Sequence, residues 1–253
     1  MSKNLLSLVC SDLKAAMKRD PAARHFLEIF FTYSGFHATF LHRICNLFWR
    51  LRLKFLARFL SNISRILTSI EIHPAAQIDE GFFIDHGAGL VIGETTVIGK
   101  NVTIYQQTTL GGLAPSVDSD SQRNIKRHPT INDNVIVGSG AQILGPVTIG
   151  KNSRIGANAV VLKDVPENIT YVGVPARKVE SKNINQSFNP YGMSEGIIDD
   201  PNKKSIQALF AEIHSLNEKL DDIRKYIDTS IKLPKVETIS IETGNKSKSR
   251  KEK

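Results

Sequence analysis

The sequence predicts an α+β chain: a helical N-terminal segment, then a parallel β-helix of six-residue repeats, then a C-terminal heptad helix. Three observations predict it. The stretch from Leu5 to Ile70 reads as helix, aliphatic residues then recur every six positions over some ninety residues, and apolar residues after position 205 alternate spacings of three and four. The division expected is residues 1–70 helical, 71–179 β-helix with a projecting loop at 112–130, 180–202 linker, 203–232 heptad helix and 233–253 disordered basic tail.

Stops at Asp20-Pro21 and at Gly35 divide the helical segment. Its most apolar stretch, Phe36 to Ile63, is interrupted by Arg43, Arg50, Arg52, Lys54 and Arg58. Those charges would be costly in hydrocarbon, so no membrane span is expected. Cys10 and Cys45 show no pairing pattern and no secretory signal opens the chain, which together predict a reducing cytosol.

The period of six begins with Ile72, Ile78, Ile84 and Leu90, slips at Thr96 and returns at Val102. A second set runs Ile92, Ile98, Ile104 and Leu110; a third runs Ile131, Val137, Ile143, Ile149, Ile155 and Val161. Glycine follows several members directly, as at Gly93, Gly99, Gly111, Gly138, Gly150 and Gly156. A helix would need spacings of three and four and an ordinary strand a spacing of two, so neither explains a strict six. A prism with three flat sides per coil does, one aliphatic residue per side pointing inward. Gly112 to Thr130 breaks the phase and is polar, which marks a loop leaving the prism; such loops on rigid scaffolds often carry function.

After the repeats, Ile206, Leu209, Ile213, Leu216, Leu220, Ile223 and Ile227 form a narrow apolar seam between charged flanks, the pattern of a coiled coil. Packing of this helix on its own prism is the plainer alternative. The formal charge is +8, and five Lys or Arg lie in the last eight residues, so the excess reads largely as a solvated tail. No zinc spacing or aromatic RNA-binding signature accompanies it, and nucleic acid is not an expected partner.

The segments EIHPAAQIDEGFFIDHGAGLVIGE, TTLGG, KRHPTI and GVPARKV, with KRDPAAR and GFHA ahead of the repeats, resemble serine O-acetyltransferases. The resemblance covers about Lys18 to Val179. It implies a left-handed parallel β-helix of hexapeptide repeats, a homotrimer or multiple of trimers with active sites between neighbouring prisms, and acetyl transfer from acetyl-CoA to L-serine in cysteine biosynthesis. By position, Gly112, Ser139, Arg154 and Ala157 fall where the family contacts acetyl-CoA. Many members engage O-acetylserine sulfhydrylase through a C-terminal isoleucine; Lys253 stands in that place here.

The chemistry asks for particular side chains. A serine hydroxyl attacks a thioester only with a positioned base, and histidine is the residue type that titrates near neutral pH. His86, flanked by Gly87 and Gly89, is the candidate. An acidic partner on its far ring nitrogen would fix the tautomer, and Glu71 fills that place where better-known members carry aspartate. The substrate's ammonium and carboxylate need counter-charges. Asp20 and Asp85 resemble the family's amine-binding pair, Arg127 carries a planar fork suited to a carboxylate, and His128 is expected to touch substrate. On residue type alone Asp20 also reads as a helix cap, Asp85 as a corner residue and Arg127 as a surface charge. His25, His42 and His214 read as helix-surface or partly packed residues, His73 as structural beside Pro74, and His37 as undecided.

Three rival functions differ in what they require. Another hydroxyl acceptor (homoserine, a sugar or an antibiotic) would keep the acyl chemistry without needing Asp20, Asp85 and Arg127 together. A carbonic-anhydrase-like metalloenzyme would need three convergent histidines, and only His86 and His128 are well placed, so no metal is expected. A non-enzymatic trimeric scaffold would not depend on His86.

Overall fold

The computed structural model describes residues 4–113, 120–123, 125–179 and 201–230. Four helices come first: α1 (Leu5–Arg19), α2 (Phe26–Thr32), α3 (Ser34–Arg50) and α4 (Lys54–Thr68). The β-helix follows. Its first coil holds β1 (Glu71–Ile72), β2 (Gln77–Ile78) and β3 (Phe83–Asp85), and its second β4 (Val91–Ile92), β5 (Val97–Ile98) and β6 (Thr103–Tyr105). The third holds β7 (Thr109–Gly111), β8 (Thr130–Ile131) and β9 (Ile136–Val137), and the fourth β10 (Gln142–Leu144), β11 (Thr148–Ile149) and β12 (Arg154–Ile155). The last holds β13 (Val160–Val161) and β14 (Thr170–Val172), against which β15 (Arg177–Lys178) turns back antiparallel.

These strands stack into three sheets. The first face is β1-β4-β7-β10-β13, the second β2-β5-β8-β11, and the third β3-β6-β9-β12-β14-β15. The register explains the period of six. Ile72, Ile92, Leu110, Ile143 and Val161 are successive Cα partners on the first face; Ile78, Ile98, Ile131 and Ile149 on the second; Ile84, Ile104, Val137 and Ile155 on the third. Each such side chain contributes about 1.5–3 kcal/mol when fully buried.

Each side also places a second residue inside, two positions before the strand's inward residue. Ala76, Phe82, Leu90, Thr96, Val102, Thr108, Val135, Ala141, Ser153 and Ala159 are all buried this way. The expectation of one inward residue per side is therefore too few, because chain entering a side from a corner also faces the axis. The slip at Thr96 has a related cause. Six positions separate Asp85 from Val91, but only four separate their partners Tyr105 and Thr109. The first coil thus carries two extra residues in one corner, and the aliphatic phase shifts by two. The loop adds fifteen residues in another corner: Thr109 and its partner Gln142 lie thirty-three apart, where Val91 and Thr109 lie eighteen apart.

The helical segment is bolted to the first two coils by buried charge. Arg43 grips the Asp12 carboxylate at 3.0–3.2 Å and donates to the carbonyls of Ile78 and Asp79, while Asp12 also accepts from the Phe82 amide at 3.0 Å. The Arg19 guanidinium donates to the Gly81 and Val102 carbonyls, Thr103 Oγ1 and Asn101 Oδ1 at 3.1–3.2 Å. Helix α1 ends at the expected Asp20-Pro21 stop. The second stop falls at Tyr33, not at Gly35, which is the second residue of α3. Glycine serves contact there: a Cβ on Gly35 would stand 2.2 Å from the Ile84 carbonyl oxygen.

The chain divides into two compact units, residues 1–203 and 204–253. Helix α5 (Pro201–Ser230), all but its first three residues in the second unit, carries the heptad seam, beginning and ending two residues before the expected 203–232. Most of the expected linker (180–200 of 180–202) and the whole of the expected tail at 233–253 lie outside the described residues, as do Pro115, Ser116, Asp118 and Ser119 of the loop.

Burial fixes a pH dependence of stability. Burial is the leading cause that lowers His42 to about 3 and His73 and His128 to about 4. His42 is thus fully buried, not a surface or partly packed histidine. Each ring is neutral in the fold and takes up a proton on unfolding between its folded value and 6.5. Burial pushes Asp12 up to about 6, so between about 4 and 6 that one group binds its proton in the fold and releases it on unfolding. Asp85, raised by burial, adds to the release and Glu94, held low, adds to the uptake, so the three rings still outweigh Asp12, the unfolded chain is the better proton binder and stability falls as pH drops through this window. Urea unfolding at pH 4.5, 5.5 and 6.5 is expected to give a free energy rising with pH; a flat or falling series contradicts neutral burial of the three rings.

Candidate active site

The corner with two extra residues joins β3 to β4 and carries His86. Its backbone is left-handed at His86 (φ 60°), Gly87 (φ 79°) and Gly89 (φ 76°), and the Gly87 amide closes a three-residue turn onto the Asp85 carbonyl at 2.7 Å. Gly87 has no alternative here, since a Cβ would meet Ile70 Cδ1 at 2.5 Å. A left-handed histidine costs of order 1–3 kcal/mol, tolerated where a fixed frame holds it. The outcome is a ring thrust off the prism, its side chain 74% exposed, with Nε2 3.8 Å from Asp85 Oδ1.

Asp85 and Asp20 come together at this corner. Burial raises the Asp85 carboxyl; the His86 charge opposes the rise and the charge of Asp20 adds to it. Asp20, just past the end of α1, accepts from the Tyr33 hydroxyl at 2.6 Å and from the Ala22 amide at 2.8 Å. Burial first, then the Asp20 hydrogen bond, hold the Tyr33 phenol protonated to well above its ordinary range. A cation between Asp20 and Asp85 would relieve their mutual repulsion.

Glu71 lies at the start of β1 and, with Ser69, Gly89 and Leu90, lines a cavity of about 460 Å³ beside this corner. Its carboxylate stands 3.9 Å from Arg65 and does not reach within 4 Å of the His86 ring. The structure therefore brings His86 to Asp85, not to Glu71.

Arg127 and His128 sit on a different edge, where the loop rejoins the prism between the first and second faces. The corner before β5 receives them: Thr95 Oγ1 accepts from both their amides at 3.0 Å, and the Thr95 amide donates to His128 Nδ1 at 3.1 Å, leaving the other ring nitrogen to carry the proton. Arg127 pairs with Glu94; although burial works against its charge, the hydrogen bond and the charge of Arg127 hold the Glu94 carboxyl below its usual range. Gly93 seats the His128 ring, as a Cβ there would fall 2.0 Å from its Cδ2. One side of the prism, about 16 Å at five residues, separates this edge from that of His86. Within one chain the two groups do not meet.

The cofactor candidates divide likewise. Ser139 and Ala157 stand on the His86 edge in the third and fourth coils, linked by the Asn158 amide donating to the Ser139 carbonyl at 2.8 Å. Three coil steps, about 14 Å, run from His86 to Ala157. Gly112 lies at the loop's edge and Arg154 at the start of β12 on the third face. Among the described residues no group of three His, Cys, Asp or Glu side chains is arranged to hold a metal, and no helix is long and apolar enough to cross a membrane.

Sequence reasoning missed Arg19, Tyr33, Glu94 and Thr95. Arg19 and Tyr33 flank the Asp20 turn from helical sequence with no periodic cue, and Glu94-Thr95 occupies an ordinary corner whose role appears only once the loop folds over it. The other histidines have structural duties: His25 caps α2 by accepting from the Leu27 amide, His37 Nε2 bonds the Phe30 carbonyl, and His73 accepts from the Ala75 amide with its ring against Trp49.

Residues 1–39 match the serine acetyltransferase N-terminal family model, and residues 128–163 match the bacterial transferase hexapeptide (six repeats) model. The serine acetyltransferase of Bacillus pumilus is 45% identical over 212 residues, covering 82% of this chain and 94% of its own length. The chain belongs to the serine acetyltransferase family. The family's enzyme from Bacillus subtilis is 42% identical over 86% of this chain and 95% of its own. Among solved structures, a serine acetyltransferase in complex with cysteine is 40% identical with a TM-score of 0.66 over 70% of both chains. The soybean serine acetyltransferase complexed with serine is 43% identical with a TM-score of 0.65 over 69% of both.

Proposed function

We propose that this acyltransferase moves the acetyl group of acetyl-CoA onto the hydroxyl of L-serine, with His86 as general base. The observation that carries the reading is the corner itself: an exposed, left-handed histidine beside a pair of mutually repelling carboxylates, Asp85 and Asp20, suited to a substrate ammonium. His86 takes the hydroxyl proton as the serine oxygen attacks the thioester carbon. The tetrahedral intermediate then breaks its C–S bond, and the imidazolium returns the proton to the CoA sulfur, giving O-acetyl-L-serine and CoA thiol.

Glu71 is proposed to orient the imidazolium. Its pairing with Arg65 is half-exposed and long, an interaction of about 0–1 kcal/mol at most, so the carboxylate is free to turn toward the ring. Acetyl-CoA is proposed to run down the His86 edge past Ala157 and Ser139, with Arg154 and Gly112 as outlying contacts. The substrate carboxylate is assigned to Arg127, with His128 beside it.

That last assignment requires a neighbouring chain, because Arg127 lies on another edge. We therefore propose a homotrimer, or a multiple of one, in which one prism's His86 edge meets another's Arg127 edge. Helix α4 supports association: it buries only Ala57, Ser61, Ser64 and Thr68 and exposes Phe55, Phe59, Ile66 and Leu67. The division of the chain into a helical segment to residue 70, a catalytic β-helix to 179 and the heptad helix is part of the same proposal, as are a place in cysteine biosynthesis and a cytoplasmic location. O-acetylserine sulfhydrylase is not assigned as a partner.

The test is free thiol release from acetyl-CoA with L-serine, L-homoserine, a galactoside and chloramphenicol, against a no-acceptor control. Selective turnover with L-serine is expected; turnover with another acceptor overturns the substrate, and silence with all four overturns the activity.

A further inference from the structure

Tyr33 stands where α1, α3 and β3 meet at the His86 corner. It is the N-cap residue of α3, Asp20 is the C-cap residue of α1, and Asp85 ends β3. Its side chain does not cap its own helix; the hydroxyl reaches back to Asp20 Oδ2 at 2.6 Å.

The direction of that bond decides what Tyr33 can still do. Burial, then the Asp20 hydrogen bond, then the charges of Asp20, Glu28 and Asp85 keep the phenol protonated. An ionised carboxylate only accepts, so the one hydroxyl proton goes to Asp20 and the oxygen keeps its lone pairs for an incoming donor. Among the described residues none supplies one. Asp85 is near enough for its charge to act on the phenol, so a donor arriving at Tyr33 also meets both carboxylates.

We infer that Tyr33 Oη is a third acceptor for the substrate ammonium and makes this corner selective for a primary amine. The inference rests on the serine reading. A primary ammonium has three N–H donors; Asp20 and Asp85 take two and supply the opposing charge. Tyr33 takes the third without adding another negative charge to two carboxylates that already repel. Serine carries its amino and hydroxyl groups on adjacent carbons. Asp85 Oδ1 and His86 Nε2 stand 3.8 Å apart, so an ammonium held at Asp85 leaves the hydroxyl beside the base. Ser34 Oγ donates to the His86 carbonyl at 3.2 Å, so the start of α3 holds the base's backbone as well as Asp20. A secondary amine has only two N–H donors in its charged form. The carboxylates take both, and the N-methyl group is driven against the phenol oxygen, which is left unpaired.

Thiol release with L-serine and with N-methyl-L-serine, on the wild type and on Tyr33→Phe, tests this. The wild type is expected to favour L-serine in kcat/KM by about tenfold or more, the usual contribution of one hydrogen bond to a charged group. Phenylalanine keeps the ring and removes only the acceptor. Tyr33→Phe is expected to raise KM for L-serine about tenfold at nearly unchanged kcat and to leave N-methyl-L-serine as it was, so the preference collapses. Asp20→Asn provides the contrast, because it removes charge from either ammonium and should weaken both acceptors alike. If Tyr33 only steadies Asp20, Tyr33→Phe also weakens both alike and the preference survives. That outcome, or a KM for L-serine that does not move, overturns the third contact and leaves the acyl-transfer reading standing. A wild type that does not use L-serine overturns that reading and this contact with it.

Discussion

His86→Ala is expected to lower kcat with L-serine by about a hundredfold to ten-thousandfold, the span a general base supplies, while acetyl-CoA binds as before. The ring makes no packing contribution that its loss would forfeit, being 74% exposed at the end of a bulged corner. The variant also relieves no core contact, since Gly87, not His86, lies against Ile70 and Ile84. A folded, cofactor-binding and nearly inactive protein is therefore the outcome, measured by single-turnover thiol release and by acetyl-CoA titration. Two carboxylate variants then separate the roles around it. Glu71→Gln should lower kcat with little change in KM for L-serine, because it removes the charge that steadies an imidazolium formed only during reaction. Asp85→Asn should raise KM for L-serine first, because it removes half of the ammonium site. If Asp85→Asn instead lowers kcat alone, Asp85, which stands 3.8 Å from His86 Nε2, is the orienting partner and Glu71 is not.

The fold was readable because its signal repeats. The spacing of six marks three faces, and each of the aliphatic ladders ending at Val161, Ile149 and Ile155 keeps its register through the coils. Two features were not readable. The second inward residue of each side, two positions before the strand's own inward residue, is by turns Ala, Thr, Ser, Val, Leu or Phe, a mixture without the uniform aliphatic character that periodicity detects. Gly35 resembled a helix stop because glycine destabilises helices; in place it lets α3 approach the Ile84 carbonyl, a tertiary requirement invisible to local sequence.

At the site, His86, Asp85 and Asp20 stood out in the sequence because they lie in short motifs whose types match the chemistry, and the structure brings the three to one corner. The sequence did not show that Arg127 stands one prism side away from them. That separation follows from the path of the loop, which returns to the corner of Glu94 and Thr95 under hydrogen bonds from Arg127, His128 and Lys126. Nor could spacing alone decide the acidic partner of His86. Fifteen residues between Glu71 and His86 put both on one coil, but the two extra residues in the corner carry the ring toward Asp85.

Arg19→Met should injure stability and substrate binding together, and for one reason. Arg19 is only 7% exposed and joins helix to prism through four acceptors, two of them carbonyls at the turn and strand edge of the first two coils. Burial lowers its guanidinium to about 10, which still leaves it charged at neutral pH. Methionine fills much of the volume but strips the donor from those groups, a loss of about 2–4 kcal/mol by the usual cost of removing charged hydrogen bonds from a buried site. The adjacent residue is Asp20, whose turn is held by the Tyr33 hydroxyl and the Ala22 amide and whose position over the prism is held by Arg19. Freed from that bolt, Asp20 no longer meets Asp85 at a fixed distance, and KM for L-serine should rise by about tenfold or more, since displacements near 1 Å are enough for such losses. KM for acetyl-CoA should not move, because Ser139 and Ala157 lie two and three coils further up the edge. Arg19→Lys should recover part of the stability and less of the KM, as an ammonium cannot span acceptors that a guanidinium reaches with two nitrogens at once. A variant that loses stability while keeping its KM for L-serine would show that Arg19 only fastens the helix and that Asp20 is positioned by Tyr33 alone.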